Sequence, residues 1–265
     1  MNQQNNFTAK KSLGQNFLHA PNVISAMVHE SNITKDSLVL EVGPGKGALT
    51  TKLLETGAKV TVVEKDDRAI PFLHEKFVNE VRNGQLEIIH GDILEFDEKN
   101  LEKYTLIANI PYYITGEFMR KFSESSNPPV KMVVMVQKEV AKRIVDTKES
   151  ILSISVKAYG NPKYVCTVPR KFFRPIPNVD SAVISIENIS KKFFFDNKID
   201  EKTFFEILKA GFAHKRKVVI KNLQDKIDKN TLESIWNNEN WSKDLRAENI
   251  TLEMWKKIVG NTCKS

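Results

Sequence analysis

In Leu38-Val39-Leu40-Glu41-Val42-Gly43-Pro44-Gly45-Lys46-Gly47, a run of strand-forming residues leads directly into a glycine turn, and the helical pattern of Ala48 to Thr56 follows. Glycines at such a turn let the backbone bend sharply and let a ligand approach it closely. Gly57 lies where a C-cap glycine ends a helix. The stretch therefore predicts a strand, a tight turn and a helix, which together begin an alternating fold.

The same alternation continues to about residue 138. We predict four further strands, at Lys59 to Val63, Leu86 to His90, Thr105 to Ala108 and Lys131 to Val136, with helices at Asp66 to Val81 and Thr115 to Phe122. Strands that alternate with helices form a parallel sheet covered on both faces. Such a sheet binds its ligands at the carboxyl ends of the strands.

The flanking sequence sets the domain organisation. A short amphipathic helix precedes the sheet at Asn22 to His29, and two closing strands follow at Tyr164 to Val168 and Ala182 to Ile186. After Ser190 helical patterns dominate: Glu201 to Ala213, Arg216 to Gln224, Thr231 to Trp236 and Leu252 to Val259. We therefore predict an α/β domain over residues 1–190 and a small all-helical domain over residues 191–265.

The composition excludes several classes of protein. The chain has 265 residues, of which 41% are hydrophobic and 28% charged, and this is typical of a folded chain with a sizeable core. Cys166 and Cys263 are far apart and form no CxxC pattern, so neither a disulfide framework nor a structural zinc site is expected. The sequence shows no secretory signal and no run of the roughly 20 apolar residues that a membrane span needs. We expect a cytoplasmic protein that needs no metal and contacts no membrane.

Two carboxylates follow successive strands of the predicted sheet. Glu64 ends the second strand and is placed to accept hydrogen bonds from a ribose, while Asp92 follows the third and is placed to accept one from an adenine amine. Helix N-capping is the structural alternative for either residue. The glycine spacing is G-x-G-x-G rather than the G-x-G-x-x-G of dinucleotide-binding folds. Glu41 would repel a pyrophosphate but neutralise the cationic end of S-adenosylmethionine, so Glu41, Gly43 and Gly45 favour that cofactor.

The fourth strand runs into Asn109-Ile110-Pro111-Tyr112. The lone pair of an exocyclic amine is delocalised into the ring, so a methyl transfer to it needs hydrogen-bond acceptors that localise the lone pair. The Asn109 side-chain oxygen and the Ile110 carbonyl fit this role, while Pro111 fixes the turn and Tyr112 offers a ring for base stacking. An Asn-x-Pro turn with a packed tyrosine is the structural alternative.

A second aromatic candidate lies in the proline-rich loop Arg170 to Pro177. Phe173 is placed to cover the other face of a flipped base, and Arg170, Lys171 and Arg174 are placed to hold phosphates. One member of an adjacent aromatic pair is usually buried, so burial in the core is the alternative for Phe172 or Phe173.

These motifs resemble the KsgA/RsmA-type rRNA adenine-N6,N6-dimethyltransferases. The resemblance extends from about Lys11 to Val259. It is carried by the glycine turn and by Lys11 to Leu18, Gly91-Asp92, Asn109 to Ile114, Phe173 to Ser181, Gly211 to Lys217 and Arg246 to Ile250.

The resemblance implies a Rossmann-like class I S-adenosylmethionine-dependent methyltransferase domain, with residues 10–30 as a segment that covers the cofactor. It implies cofactor contacts at Asn16, Leu18, Gly43, Glu64, Asp92 and Asn109. It also implies that two adjacent adenosines near the 3′ end of small-subunit rRNA are dimethylated on the immature small subunit, by a chain that we expect to be a monomer.

The basic residues of the second part fit this substrate. Residues 190–265 carry 16 basic against 11 acidic residues, whereas residues 1–189 carry 24 against 22, so most of the net charge of +7 lies in the smaller part. We expect rRNA phosphate contacts from His214, Lys217 and Lys221, which follow one another at helical spacing, and from the adjacent Lys215 and Arg216. A solvated lysine-rich surface is the alternative.

Two other functions are compatible with some of these motifs. The erythromycin-resistance methylases, which dimethylate an adenine of large-subunit rRNA, share the glycine turn and the Asn-x-Pro-Tyr motif, although the segments 214–217 and 246–248 favour the small-subunit enzymes. The second is an assembly factor that acts mainly by binding the ribosomal subunit.

Overall fold

The computed structural model describes residues 8–10, 13–146, 148–214 and 216–262. Lys215, a predicted RNA contact, lies outside these residues, as do Lys11 and Ser12 of the N-terminal motif. The strands in chain order are β1 (Phe17–Leu18), β2 (Leu38–Val42), β3 (Lys59–Glu64), β4 (Leu86–His90), β5 (Tyr104–Asn109), β6 (Lys131–Gln137), β7 (Asn161–Val168), β8 (Phe173–Arg174) and β9 (Ser181–Glu187). The helices are α1 (Pro21–Ser31), α2 (Ala48–Leu54), α3 (Ala69–Lys76), α4 (Val78–Arg82), α5 (Thr115–Glu124), α6 (Lys138–Val145), α7 (Ile151–Tyr159), α8 (Lys192–Asn197), α9 (Glu201–Gly211), α10 (Val219–Leu223), α11 (Lys229–Asn238) and α12 (Leu252–Thr262).

The main sheet contains seven strands in the order β4-β3-β2-β5-β6-β9-β7. All neighbours from β4 to β6 are parallel, and β9 is antiparallel to both β6 and β7. The predicted parallel sheet is thus confirmed, and the two closing strands add an antiparallel edge. From β2 the chain extends the sheet first through β3 and β4 and then, on the other side, through β5 and β6. This reversal opens a crevice at the carboxyl ends of β2 and β5.

The central strands are buried on both faces, which is why they consist of nearly continuous apolar runs. Val39 and Val60 belong to one core cluster with Val23 and Met27 of α1 and Leu53 of α2. These helices hold the amino-terminal part of the chain and the glycine turn against the sheet through this shared core.

The predicted helix from Asp66 to Val81 is wrong as a single element. It divides into α3 and α4 at Phe77, whose backbone leaves the helical region at φ −116° and ψ 35°. The Phe77 ring is buried beneath the glycine turn, where a β-carbon on Gly47 would lie 2.6 Å from it. Tertiary packing of this ring therefore outweighs the local helical preference.

The chain forms two compact units, Met1–Ala141 with Asn161–Ile189 and Lys142–Gly160 with Ser190–Ser265. The first contains the sheet. The second includes α7, for which the sequence analysis gave no helix and which begins with a capping box between Ser150 and Ser153. Residues 142–160 thus lie in the second unit, although the sequence analysis placed them in the first domain. The functional division at residue 190 stays a prediction.

Helices make up the described elements of the second unit, with a cluster of rings that includes Tyr159, Phe194 and Phe204. The predicted helix from Arg216 to Gln224 is shorter than expected and begins only at Val219. The side-chain amide of Asn222 donates to the carbonyls of Gly211 (2.7 Å) and His214 (3.2 Å), and these bonds hold the preceding segment as a turn. Across the described ranges, no helix combines the length and apolar character that crossing a membrane demands.

Candidate active site at the carboxyl ends of the strands

The glycine turn after β2 requires glycine for both conformation and space. Gly45 and Gly47 have φ values of +53° and +70°, which L side chains rarely adopt. A β-carbon on Gly45 would lie 2.9 Å from the Phe17 ring, and one on Gly47 would meet Phe77. The turn is therefore packed tightly from two sides.

Lys76, the last residue of α3, supports this turn from behind. Its Nζ donates to the carbonyl oxygens of Lys46 (2.8 Å) and Gly47 (3.1 Å). Burial lowers the pKa of Lys76 and the neighbouring Glu41 opposes this shift. Lys76 was not predicted as a site residue, because only the fold brings α3 to the glycine turn.

Glu41 in β2 is a buried acid that lines the cleft. Only 1% of the residue is exposed, and neither carboxylate oxygen has a hydrogen-bond partner among the described residues. Burial raises the pKa of Glu41 to about 8. The nearby hydroxyl and amide of Thr50 oppose this shift, whereas repulsion from Glu64 adds to it. The carboxyl is therefore mostly protonated at neutral pH in the free protein, and a cationic ligand would favour its ionised form.

Glu64 ends β3 with both carboxylate oxygens held by backbone donors. The amide of Asp66 donates to Oε1 (2.8 Å) and the amide of Gly45 donates to Oε2 (3.0 Å). Burial still raises the pKa of Glu64. Each oxygen retains a further lone pair, so the side chain is oriented to accept additional hydrogen bonds from a ligand.

Asp92 follows β4 at the same edge of the sheet. Its Oδ2 accepts from Lys65 Nζ at 2.6 Å, and its Oδ1 accepts from the amide of Leu94 at 3.0 Å. Burial opposes ionisation of Asp92, but these donors outweigh it and hold the pKa below its usual value. Asp92 therefore stabilises the turn after β4 and also lines the cleft. The alternative of helix N-capping is wrong for Asp92, because no helix lies between β4 and β5, where every residue is described. Lys65 was not predicted.

The segment after β5 places Asn109, Ile110 and Tyr112 in the cleft. Pro111 precedes a 3₁₀ turn over Tyr112–Ile114, and Thr115 donates its hydroxyl to the Tyr112 carbonyl at 2.9 Å. The Tyr112 and Ser181 hydroxyls lie 2.7 Å apart. Burial raises the pKa of Tyr112. The tyrosine is thus fixed at both ends, by its backbone and by its hydroxyl.

Phe173 takes part in a two-stranded sheet that the sequence did not predict. Strand β1 pairs antiparallel with β8, so that Leu18 lies opposite Phe173. Phe173 is 1% exposed and belongs to the core cluster, and it also lines the cleft. Phe173 is therefore a core residue, as the structural alternative predicted. Its stacking on a base stays a prediction.

The cleft encloses a cavity of about 460 Å³, a size typical of small-molecule and cofactor sites. The structure brings together every predicted cofactor and catalytic residue at its wall. These are Asn16, Leu18, Glu41, Gly43, Gly45, Glu64, Asp92, Asn109, Ile110, Pro111, Tyr112 and Phe173.

The predicted RNA contacts lie outside this cavity. In the first unit Arg170, Lys171 and Arg174 are exposed, and Arg170 donates to the carbonyl of Asn178 at 3.2 Å.

In the second unit His214, Arg216, Lys217 and Lys221 are exposed. His214, Lys217 and Lys221 line one concave surface together with Lys226, which the sequence analysis missed. They meet because a turn folds back on α10, not because they share one helical face.

Two solved structures show which fold this chain adopts. The structure of a dimethyladenosine transferase from Plasmodium falciparum is similar, with a TM-score of 0.75 and 24% sequence identity. The match covers 91% of this chain and 95% of that protein's chain. The structure of the 23S rRNA methyltransferase ErmE is also similar, with a TM-score of 0.77 and 21% sequence identity. That match covers 94% of this chain and 100% of the ErmE chain. The fold is that of the class I methyltransferases.

Sequence comparisons identify the family. A profile of the ribosomal RNA adenine dimethylases matches residues 6–260. The ribosomal RNA small subunit methyltransferase A of Dehalococcoides mccartyi is 38% identical, over 96% of this chain and 90% of that protein. This chain belongs to the ribosomal RNA adenine dimethylase family.

Proposed function

We propose that this chain transfers methyl groups from S-adenosylmethionine to N6 of two adjacent adenosines near the 3′ end of small-subunit (16S) rRNA. The product is N6,N6-dimethyladenosine at both positions, formed in the cytoplasm during biogenesis of the small subunit. One observation carries the proposal: the buried acid Glu64 at the end of β3 and the Asn109 to Tyr112 segment at the end of β5, on the two sides of β2, line a single cavity. Membership of the family and similarity to a small-subunit methyltransferase support the choice of substrate.

The residues of the cleft fit S-adenosylmethionine. Glu64 is held by two backbone amides with lone pairs left for ribose hydroxyls, and Asp92 supplies an acceptor for the adenine amine. The unpartnered Glu41 carboxyl supplies a counter-charge for the cationic end. When bound, the cofactor supplies an electrophilic methyl group on a sulfonium.

The Asn109 to Tyr112 segment orients the target amine. In the first transfer the Asn109 side-chain oxygen and the Ile110 carbonyl accept the two N–H groups of the adenine amine. In the second transfer one of these oxygens accepts the N–H that remains. In both cases the nitrogen lone pair points out of the ring plane. Tyr112 stacks on the base, with its ring held by the bond to Ser181. Such stacking contributes about 1–3 kcal/mol per base. The protonated product of each transfer is acidic and loses its proton to water, so positioning provides most of the catalysis.

The basic residues of both units hold the rRNA backbone. Arg170, Lys171 and Arg174 are exposed on the loop that leads to and includes β8, and the concave surface around Lys217 and Lys221 presents further positive charge. Contacts of this type supply affinity that depends strongly on salt and weakly on sequence. We expect the active form to be a monomer.

The test is to incubate the purified chain with radiolabelled S-adenosylmethionine and unmethylated small subunits, and then to map the modified bases. We expect dimethyladenosine at two adjacent positions near the 3′ end of the rRNA. Large-subunit rRNA, methylated in parallel, is the competing substrate. Transfer to it alone would move the assignment to the erythromycin-resistance type, and full rescue of subunit maturation by a variant without methyl transfer would favour an assembly factor.

A further inference from the structure

One wall of the cleft is an amino-terminal segment, residues 13–19, which we call the strap. All seven of its residues line the cavity. Phe17 packs against Gly45, Leu18 pairs with Phe173, and the amide of His19 donates to the carbonyl of Phe172 at 2.8 Å. The strap therefore contacts the glycine turn at one point and β8 at another.

A third attachment joins the strap to the loop after β3 through Asp66. The side chain of Asp66 is 0% exposed, and its Oδ2 accepts from Gln15 Nε2 at 2.8 Å. Arg68 donates to both oxygens, through Nε to Oδ1 (2.9 Å) and through Nη2 to Oδ2 (2.6 Å). A buried carboxylate with this many donors has one defined orientation.

The backbone of Asp66 at the same time holds Glu64, the proposed ribose-binding residue. Its amide donates to Glu64 Oε1 at 2.8 Å, while the amide of Gly45 donates to Oε2. Asp66 thus touches the strap through its side chain and Glu64 through its main chain. Neither contact is explained by the methyl-transfer chemistry itself.

We propose that Asp66 is a positioning residue that fastens the strap to the ribose-binding acid, with Gln15 as its partner on the strap. This inference rests on the proposed function. The wall over the cofactor and the orientation of Glu64 are then one connected unit, and loosening Gln15 opens the cavity beside the bound adenosine. The fastening governs how long S-adenosylmethionine stays bound, whereas the acceptors that act on the target amine lie on a different segment.

The primary variant is Asp66→Asn. It keeps the hydrogen bond that the backbone amide of residue 66 donates to Glu64, and it removes the charge that Gln15, Arg68 and Lys10 face. We expect the Kd and KM for S-adenosylmethionine to rise about tenfold, as for loss of a hydrogen bond to a charged group. At saturating cofactor, kcat changes less than about twofold, since an interaction equal in ground and transition states affects KM alone.

The matched control is Asp67→Asn, which removes the same charge one residue later. Asp67 is 72% exposed and contacts Lys10 at 3.6 Å in a surface ion pair. Exposed pairs contribute little, so we expect a change in Kd of less than about threefold.

Gln15→Ala tests the contact from the strap, in case Asp66→Asn does not fold. The double variant should bind the cofactor no more weakly than the weaker single variant, because both remove one interaction. Deuterium uptake of the peptide that spans residues 13–19 should be faster in both single variants without cofactor, and slow in parent protein and in Asp67→Asn.

The outcomes separate the two proposals. The parent protein could bind the cofactor while Asp66→Asn and Gln15→Ala match it in Kd and in deuterium uptake. That result overturns only the proposed role of Asp66 as the fastening of the strap. A fall in kcat with unchanged KM also overturns it. A parent protein that binds no S-adenosylmethionine overturns the proposed function as well.

Discussion

The hydroxyl oxygen of Tyr112 lies 2.7 Å from that of Ser181, the first residue of β9. This bond connects the Asn-x-Pro-Tyr turn after β5 to an antiparallel strand that arrives some seventy residues later in the chain. The ring that is expected to stack on the target base is thereby fixed in plane by a residue outside its own motif. Removing the hydroxyl and removing the ring should have different effects.

Tyr112→Phe should lower kcat on small subunits by about two- to tenfold, because one neutral hydrogen bond contributes about 0.5–1.5 kcal/mol. Ser181→Ala should reproduce this loss. Tyr112→Ala should cost more, since stacking contributes about 1–3 kcal/mol in addition. Single-turnover methylation with saturating cofactor measures all three. Equal rates for Tyr112→Phe and Tyr112→Ala would exclude a stacking role.

Glu64→Gln should weaken S-adenosylmethionine binding by about a hundredfold or more, because hydrogen bonds to a charged acceptor contribute about 1.5–3 kcal/mol each. Isothermal titration calorimetry without RNA measures the change. Glu55→Gln, on the exposed end of α2, is the control and should bind like the parent. Tight binding by the Glu64 variant would remove the ribose contact from the proposal.

Glu41 should make the cofactor-free protein less stable as pH rises. The folded pKa of Glu41 is about 8 and its ordinary value is 4.5, so between these limits the folded state holds a proton that the unfolded state has lost. The free energy of unfolding then falls by at most about 1.4 kcal/mol per pH unit. Urea unfolding at pH 5 and pH 8 should show Glu41→Gln gaining stability relative to the parent at pH 8. A gain that is equal at the two pH values would contradict the shift.

Gly47→Ala should destabilise the fold through strain and collision together. Its φ of +70° costs an L residue about 1–2 kcal/mol, and the new β-carbon meets the Phe77 ring. Gly84→Ala is matched in strain, with φ +79°, but has no atom within 4 Å of the added carbon. Urea midpoints of the two variants separate the effects, and equal loss of stability would show that Phe77 moves aside freely.

Replacing His214, Lys217 and Lys221 by glutamine should weaken binding to small subunits and flatten its dependence on salt. Each lost phosphate contact lowers the slope of log K against log salt by about 0.7–0.9. Filter binding from low to high salt measures this slope. The control replaces Lys192, Lys229 and Lys257, which pair with acidic neighbours. An unchanged slope in the first variant would remove this surface from the RNA interface.

Periodicity was sufficient for the sheet because each strand is a short apolar run bounded by a turn. Leu38–Val42 and Leu86–His90 were predicted at the bounds that the structure shows. Patterns failed where distant packing decides the backbone. Phe77 interrupts a helix because its ring fills the space beneath Gly47. Asn222 bonds the carbonyl of Gly211 and so stabilises a turn in a segment for which the pattern predicts a helix.

The order of the elements and the residue types at the strand ends follow from local sequence, because side-chain periodicity and glycine conformation are local properties. The cofactor acids and the Asn109 to Tyr112 segment were identifiable for that reason. Which side chains hold the site in place depends on long-range packing. Lys76 bonds the glycine turn, Ser181 bonds Tyr112, and Asp66 lies between the strap and Glu64. These contacts join residues up to 69 positions apart, and their hydrogen bonds depend on distances that exist only after the sheet and its helices have packed.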